Sequence, residues 1–345
     1  MSEPLNVEEI LGKAIEEEKQ YEWLKAADYY QKILTAGDES DFLRKGEVRE
    51  SLAHAIYKAA LQADTSREFK ERMTQTVAHY EEAKQNYDKS SDPGRVPRIS
   101  RCEAMTALAA YWLAMGASEK KKSIDECWRL ANEALRAFKE TGDAWEYGKT
   151  YDQLSKSVSF GIDLDWNCQT RKKTLEEAVE HGEQAIRFLS SFEDSEELAR
   201  AYVLVAIHQE PFSDNFLDGE QKKSGYQKAA EYWRKACQIS DSTAVIEYFS
   251  SVSTLSGLSG WQTNEGDFTE GICEKALKLG KKAKDRFIIG GALDRLVYIT
   301  YWKAYATDDP DERMALYRKA LQYAEEAKSQ FSISLSLAQE GAHSG

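Results

Sequence analysis

Proline, cysteine and long apolar runs are all scarce in this chain of 345 residues. The five prolines stand between segments of helical periodicity, and because proline breaks helix interiors, their rarity favours an all-α protein. No apolar run approaches the roughly 20 residues of a membrane-spanning helix, and the acidic N-terminus does not resemble a signal peptide. We therefore expect no membrane insertion. The prolines are Pro4, Pro93, Pro97, Pro211 and Pro310.

Paired cysteines and an excess of positive charge are also missing. The five cysteines form no C-x-x-C pair, which is typical of reduced thiols in a cytoplasmic protein. The formal net charge is −13, whereas proteins that bind nucleic acid directly carry a basic surface. We therefore predict a cytoplasmic protein that does not itself bind nucleic acid.

No catalytic or metal-binding constellation is evident. No Cys/His pairing has the spacing of metal ligands, and no cysteine has a phased His or Asp partner that would make it a nucleophile. The segment Gly148-Lys149-Thr150 resembles the end of a phosphate-binding loop, but Asp143 stands where that loop requires its first glycine. We predict a protein that is not an enzyme and holds no metal or cofactor.

What the chain does contain is internal repetition. The segment 123–143 has the pattern of one helix with a polar start, a seam of small residues and a glycine stop, and versions of it recur. When they are aligned on Ala134, seven repeats emerge at spacings of 40 to 51 residues. We predict one helical-repeat domain, 1–345, of about seven antiparallel helix pairs. The repeats are anchored at Ile33, Ala83, Ala134, Ala185, Ala236, Ala276 and Ala320.

Helix starts are predicted from polar caps. A Ser, Thr or Asp followed three residues later by Glu or Gln is typical of a helix N-terminus. This pattern places the start of the second helix of several repeats at Thr65, Ser123, Thr174, Ser224 and Asp309. The sixth repeat is predicted to contain helices near Ser242–Gly260 and Glu265–Lys282.

The end of the chain predicts one further helix. After the seventh repeat, apolar residues predict the first helix of an eighth helix pair, but no second helix follows it. Repeat arrays normally close with a polar cap instead. We expect the chain to be the N-terminal part of a longer protein. The alternative is self-association through the exposed C-terminal edge. The apolar residues are Phe331, Ile333, Leu335, Leu337 and Ala338.

Two more positions of the second helix follow a pattern. Seven residues before the anchor most repeats have a small side chain, as at Ala26 and Cys127, and three before it they have an aromatic or small one, as at Tyr30 and Ala131. This resembles the second helix of the tetratricopeptide (TPR) repeat along essentially the whole chain. The longer repeats are similar to divergent TPR-like arrays in regulatory sensor domains. The resemblance implies an α-solenoid, a right-handed superhelix with the first helices on its concave face.

The TPR-like resemblance also implies a function. We predict a non-enzymatic scaffold that binds proteins or peptides. The alternative is a regulatory sensor domain of a signalling protein or transcription regulator, which would bind a small molecule inside the superhelix.

Basic clusters recur 51 residues apart, each directly before a predicted second helix. Equivalent turns of a stacked array lie side by side, so we predict a basic ridge that binds an acidic or phosphorylated partner. The alternative is local, because cations near the end of a first helix interact favourably with its dipole. The ridge consists of Lys120, Lys121, Lys122, Arg171, Lys172, Lys173, Lys222 and Lys223.

Aromatic residues of the first helices are the second set of candidates. Tyr and Trp dominate binding hot spots, so these residues are predicted to line a peptide groove if they face the concave side. The alternative is that they belong to the core. They are Tyr111, Trp112, Tyr202, Tyr248, Tyr301 and Trp302.

Overall fold

The computed structural model describes residues 6–36, 40–165, 167–192, 196–239 and 266–342, and the chain divides into two compact bodies. The N-terminal body, Met1–Asn167, contains eight helices in its described part. They are α1 (Val7–Lys19), α2 (Trp23–Ala36), α3 (Phe42–Leu61), α4 (Ser66–Lys89), α5 (Arg95–Leu113), α6 (Ala117–Thr141), α7 (Ala144–Leu154) and α8 (Lys156–Leu164).

The C-terminal body, Cys168–Gly345, contains the remaining described helices. The predicted helix Ser242–Gly260 and the candidate Tyr248 lie outside the described residues. The helices are α9 (Cys168–Leu189), α10 (Glu196–Phe216), α11 (Gly219–Ile239), α12 (Gly266–Ala283), α13 (Arg286–Ala306) and α14 (Pro310–Ala342).

The predicted all-α class is confirmed. Within each body a helix packs mainly against the helices that precede and follow it, and the described residues include no strand. This stacking of consecutive helices fits an α-solenoid and is consistent with a divergent TPR-like repeat. No helix in the described ranges combines the length and apolarity needed to cross a bilayer.

The repeat anchors are the points where neighbouring helices meet. All seven anchors are buried, and none is more than 6% exposed. Around them Ala26, Cys127, Ala178 and Ala229 are fully buried, and the ring of Tyr80 is as well. Because small side chains let two helix axes approach, larger side chains such as Tyr80 fill the space beside the seam.

The structure confirms two of the predicted caps. The Oγ1 of Thr65 accepts a hydrogen bond from the backbone N–H of Glu68 at 3.2 Å, and the Glu68 carboxylate accepts one from the N–H of Asp64 at 3.1 Å. Asp309 accepts bonds from the N–H groups of Asp311 at 2.8 Å and Glu312 at 3.2 Å. These side chains satisfy N–H groups that have no partner within their helix.

Three other predicted starts are wrong by six or seven residues. Helix α6 begins at Ala117 rather than after Ser123, because no Gly or Pro lies between them and the intervening residues tolerate a helix. The extension ends at Gly116, because glycine loses more conformational entropy in a helix than other residues do. In the same way α9 begins at Cys168, before Thr174, and α11 begins at Gly219, before Ser224.

Two predicted breaks are absent. Helix α10 continues through Pro211, and Asn215 donates from its side chain to the Pro211 carbonyl at 2.7 Å. Helix α14 runs from Pro310 to Ala342 without interruption, so the separate eighth helix predicted around Phe331 does not form. No Gly or Pro stands between Pro310 and Gly341, and the polar residues at 329–330 alone do not end a helix.

One glycine tests the close packing of the N-terminal body. Gly46 of α3 lies against the ring of Tyr87, and a Cβ at this position would stand 2.6 Å from the ring. We expect Gly46→Ala to lower the free energy of unfolding by about 1–3 kcal/mol because of this overlap. Urea unfolding of the full chain measures the change.

Gly12 of α1 is the matched control, because a Cβ there meets nothing within 4 Å. Gly12→Ala should raise the free energy of unfolding by up to about 1 kcal/mol, since alanine favours a helix. Equal effects of the two substitutions would contradict the packing described for Gly46.

Candidate functional site

The predicted basic clusters lie inside helices rather than in turns. Lys120, Lys121 and Lys122 belong to the first two turns of α6, and the later clusters occupy the same part of α9 and α11. The predicted position in a turn is therefore wrong, but the local explanation keeps support, because Lys222 donates to the backbone carbonyl of Asp214 in the last turn of α10 at 3.0 Å. At the N-terminal end of its own helix, a cation is opposed by the dipole.

Nearby acids compensate several of these cations. Lys121 lies 2.7 Å from Asp125 and 3.3 Å from Asp165, and Lys222 lies 2.7 Å from Asp214. Lys172 and Lys173 face carboxylates one turn later in α9, at 3.9 and 3.7 Å. The first cluster belongs to the N-terminal body and the other two to the C-terminal body. A continuous ridge stays a prediction.

Tyr111 and Trp112 have a packing role. Both are half-buried, and their rings contact Phe160 of α8 with centroids 5.3 Å apart in each case. The indole N–H of Trp112 also donates to the hydroxyl of Tyr57 at 3.2 Å. These contacts join α3, α5 and α8, so the two residues fit the alternative that places them in the core.

Tyr202 is likewise half-buried, and it packs beside another aromatic residue. Its ring centroid lies 6.0 Å from that of Tyr232, and the Lys235 ammonium lies 5.8 Å from the Tyr202 centroid. The hydroxyl of Tyr232 donates to Glu183 at 2.9 Å, which links α11 to α9. Tyr202 therefore adds to the contact between α10 and α11.

Tyr301 and Trp302 lie together in an open groove between α13 and α14, which we call the aromatic groove. Its volume is about 500 Å³. Residues at helical spacing put several rings on one side of α13, opposite the apolar face of α14. The groove is lined by Asp294, Arg295, Val297, Tyr298, Tyr301, Trp302, Tyr317, Ala320, Leu321 and Ala324.

The groove exists because α14 contributes small residues between large ones. Ala320, the anchor of the seventh repeat, and Ala324 leave space, while the rings of α13 stand beside it. The centroid of Tyr301 lies 5.7 Å from that of Tyr317 and 5.8 Å from that of Trp302. These contacts hold the rings in place without filling the space between the helices.

The apolar surface extends beyond the groove. Tyr301 is 47% exposed, Leu321 is 61% exposed, and the neighbouring Tyr305 and Met314 are 69% and 53% exposed. Tyr305 contacts Trp302 with centroids 5.6 Å apart, so the apolar surface continues along α13, and Met314 stands one turn before Tyr317 on α14. Contiguous exposed apolar surface rimmed by polar residues is typical of an interaction site.

A buried cation also lines the groove. The side chain of Arg295 is only 8% exposed, and its Nη2 lies 3.4 Å from a carboxylate oxygen of Asp294. Burial lowers the pKa of Arg295, and the negative charge of Asp294 opposes that change. The aromatic groove therefore combines an apolar surface with one desolvated positive charge.

Only part of this groove was predicted from the sequence. The candidates did not include Tyr298, Tyr305, Tyr317, Leu321 and Arg295. The signal that could have found the first two is the spacing of the aromatic residues 298, 301, 302 and 305, which share one helix face. Nothing in the sequence marks Arg295 as buried.

A second charged constellation, in the N-terminal body, was also missed. Arg101 is fully buried, and its guanidinium forms ion pairs with Glu50, at 2.8 Å, and with Glu146. Tyr87 donates to Glu50 at 2.7 Å, and Lys149 lies 3.3 Å from the same carboxylate. We call these five residues the Arg101 cluster. It joins α3, α4, α5 and α7 and is closed to solvent at its centre.

The charges of the Arg101 cluster depend on each other. Burial alone would raise the pKa of Glu50, but the positive charges of Arg101 and Lys149 outweigh it and hold that pKa well below its ordinary value. The pKa of Glu146 is lowered for the same reason. Glu50 and Arg101 stand 51 residues apart, at equivalent positions of consecutive repeats, but this spacing does not mark either residue as buried.

Similarity to known proteins is slight. No protein-family model and no curated protein matches the chain. A Rap protein, solved in complex with Competence and Sporulation Factor, is 13% identical, covers 96% of this chain and 99% of its own, and has a TM-score of 0.40. Nro1, a hypoxic regulator of sterol synthesis described as a nuclear import adaptor, is 13% identical over 89% of this chain and 94% of its own, with a TM-score of 0.34.

A third solved structure comes from computational design. A self-assembling cyclic homo-oligomer is 14% identical, covers 74% of this chain and 96% of its own, and has a TM-score of 0.27. Likeness at this level says nothing about what the present chain binds.

Removing the buried cation of the Arg101 cluster should leave Glu50 and Glu146 with only the more distant charges of Lys149 and Arg98, at 3.3 and 3.4 Å. We expect Arg101→Met to lower the free energy of unfolding at pH 7 by about 3–5 kcal/mol. Arg129→Met is the control, because Arg129 is half exposed and its ion pairs with Glu126 and Glu133 lie at the surface. Its loss should cost at most about 1 kcal/mol. Urea unfolding gives both values.

The difference in free energy of unfolding between the wild type and Arg101→Met should become smaller as the pH is lowered. In the wild type, the lowered pKa values of Glu50 and Glu146 give stability above the unfolded pKa of about 4.3, and this stability is lost as the pH falls through the folded values. In the variant the positive charge that opposes burial is smaller, so both pKa values rise, and the variant gains stability relative to the wild type between pH 7 and pH 5. A deficit that is the same at both pH values would contradict this account.

Proposed function

We propose that this chain is a non-enzymatic scaffold that binds a peptide segment of a partner protein in the aromatic groove. The observation that carries the proposal is the exposure of Tyr301, Tyr305, Met314 and Leu321 around a groove lined by further rings. Water is displaced from this surface when an apolar segment covers it, which favours association.

The shape of the aromatic groove suits an elongated ligand. It lies between two antiparallel helices, so its length follows their axes, and the apolar stripe of an amphipathic helix fits such a groove. Tyr301 and Trp302 present large rings with few rotatable bonds, and such residues lose little conformational entropy on binding. A segment that places two or three apolar side chains along one face would contact both walls.

A small-molecule sensor is the second candidate function. The volume of about 500 Å³ falls within the roughly 300–1,000 Å³ of ligand pockets. Against it, Tyr301 and Leu321 are about half exposed or more, and so the groove would leave much of a small ligand in water. Thermal unfolding in the presence of a panel of metabolites separates the two functions. A melting temperature that rises with one metabolite, together with no binding of peptides, would favour the sensor.

Three predictions from the sequence stay proposals beside this one. The acidic or phosphorylated partner of the basic ridge is supported by the recurrence of the clusters, although several cations already face carboxylates. The cytoplasmic location is supported by the free thiols of Cys102, Cys127, Cys168 and Cys273. Self-association through the C-terminal edge has no separate support.

A double substitution tests the proposed function. Peptides are selected from a phage-displayed library of 12-residue sequences against the full chain and are then labelled with fluorescein. We expect Tyr301→Ala with Leu321→Ala to weaken their binding by about tenfold or more, because a hot-spot side chain contributes about 2 kcal/mol or more. Fluorescence polarisation measures the dissociation constants.

The matched control is Leu24→Ala. Leu24 is 48% exposed on α2, in the N-terminal body, and lies outside the groove. It should leave the affinity unchanged. Since all three side chains are exposed, none of the substitutions should prevent folding. Selected peptides that bind the double variant as tightly as the wild type would overturn the proposed function.

A further inference from the structure

We propose that the segment bound in the aromatic groove carries a carboxylate side chain among its apolar residues, and that this carboxylate pairs with Arg295. The inference rests on the proposed function, because it names the chemistry of the partner at the same site. It follows from the burial of Arg295, from the hydrogen bonds its guanidinium leaves unmade and from the charges that surround it.

The guanidinium of Arg295 has more N–H donors than there are acceptors close to it. A guanidinium offers five N–H donors, yet in the described part of the chain the Nε of Arg295 is buried with no hydrogen-bond partner. The ion pair with Asp294, at 3.4 Å, is longer than the roughly 2.7–2.9 Å of a good charged hydrogen bond. A buried cation with so few close acceptors gains free energy when an anionic acceptor arrives.

The charged residues around Arg295 indicate from which side a ligand carboxylate would approach it. Glu210 of α10 is fully buried, does not line the groove and favours the charged form of Arg295, while one Glu210 oxygen accepts the indole N–H of Trp233 at 3.1 Å. Among the described residues that line the groove, the one carboxylate is that of Asp294, whose side chain is 57% exposed. A ligand carboxylate would approach from the side of Asp294.

The apolar lining restricts which acidic segment fits. Tyr298 follows Arg295 by three residues and Trp302 by seven, so they lie along the same face of α13. A ligand whose acidic residue faces Arg295 would therefore place apolar residues against these rings. A basic residue at the same point would bring a like charge to a desolvated guanidinium, which is unfavourable.

Asp294 gives the proposal a test with a definite sign. At present it competes with a ligand carboxylate for Arg295 and also repels that carboxylate. We expect Asp294→Asn to strengthen the binding of an acidic peptide and to weaken the binding of a basic one. Because Asp294 is exposed, this substitution should not disturb folding.

The experiment uses the full chain and the peptides selected from the 12-residue library. Each selected peptide is resynthesised with its Asp and Glu residues replaced by Asn and Gln. Arg295→Gln should weaken the acidic peptides about tenfold, since a charged hydrogen bond contributes about 1.5–3 kcal/mol. It should leave the amide versions unchanged, and this difference isolates the pair.

Arg318→Gln is the control for a general loss of positive charge. Arg318 is exposed on α14 and does not line the groove, so its replacement should change affinity less than about twofold. Arg295→Lys keeps the charge but loses the planar donor set, and it should give an intermediate affinity. If Arg295→Gln does not fold, the proposal is still tested by comparing how the acidic peptides and their amide versions bind to Asp294→Asn.

Each outcome has a definite meaning. Acidic residues among the selected sequences, together with tighter binding by Asp294→Asn, support the proposal. Neutral or basic sequences, or weaker binding by Asp294→Asn, overturn it. If peptides bind the Tyr301→Ala, Leu321→Ala variant more weakly, but their affinity is unchanged by Arg295→Gln and by Asp294→Asn, only this inference is overturned. If the double substitution Tyr301→Ala, Leu321→Ala leaves the affinity of the peptides unchanged, the proposed function is overturned as well.

Discussion

The close approach of neighbouring helices at small side chains is the constraint on which this structure depends. The seven repeat anchors are buried, and six of them are alanine. A larger residue at such a point would push two helices apart, and the side chains beside the seam would lose their contacts. The same constraint shapes the surface, because alanine at 320 and 324 leaves the aromatic groove open where larger residues would have filled it.

Buried charge is the second organising feature, and it has different consequences in the two bodies. Around Arg101, the carboxylates of Glu50 and Glu146 form ion pairs with the guanidinium, the Thr150 hydroxyl accepts a hydrogen bond from it at 3.1 Å, and the cluster ties four helices together. Around Arg295, the ion pair with Asp294 is longer, at 3.4 Å, than the 2.8 Å between Arg101 and Glu50. A satisfied cation stabilises a fold, whereas an incompletely satisfied one is available to a ligand. This contrast supports a binding role for the C-terminal body.

Much of the fold could be predicted from the sequence because seam residues recur at fixed spacing. The starts at Ser123, Thr174 and Ser224 were wrong, since a cap signal inside a run of good helix formers does not stop a helix. The Arg101 cluster was missed because charged residues are normally solvated, and only tertiary packing shows otherwise. Tyr301 and Trp302 were found, but their partners on α14 depend on how two helices face each other.

Amide hydrogen exchange of the full chain, with and without a selected peptide, tests most directly whether the aromatic groove is where the chain binds its partner. Binding raises the free energy of local opening in the segments that the ligand covers. The account predicts slower exchange in 294–302 of α13 and 317–324 of α14, with little change in α5 and α8 of the N-terminal body. Unchanged exchange in both groove segments, with slowing elsewhere, would contradict it.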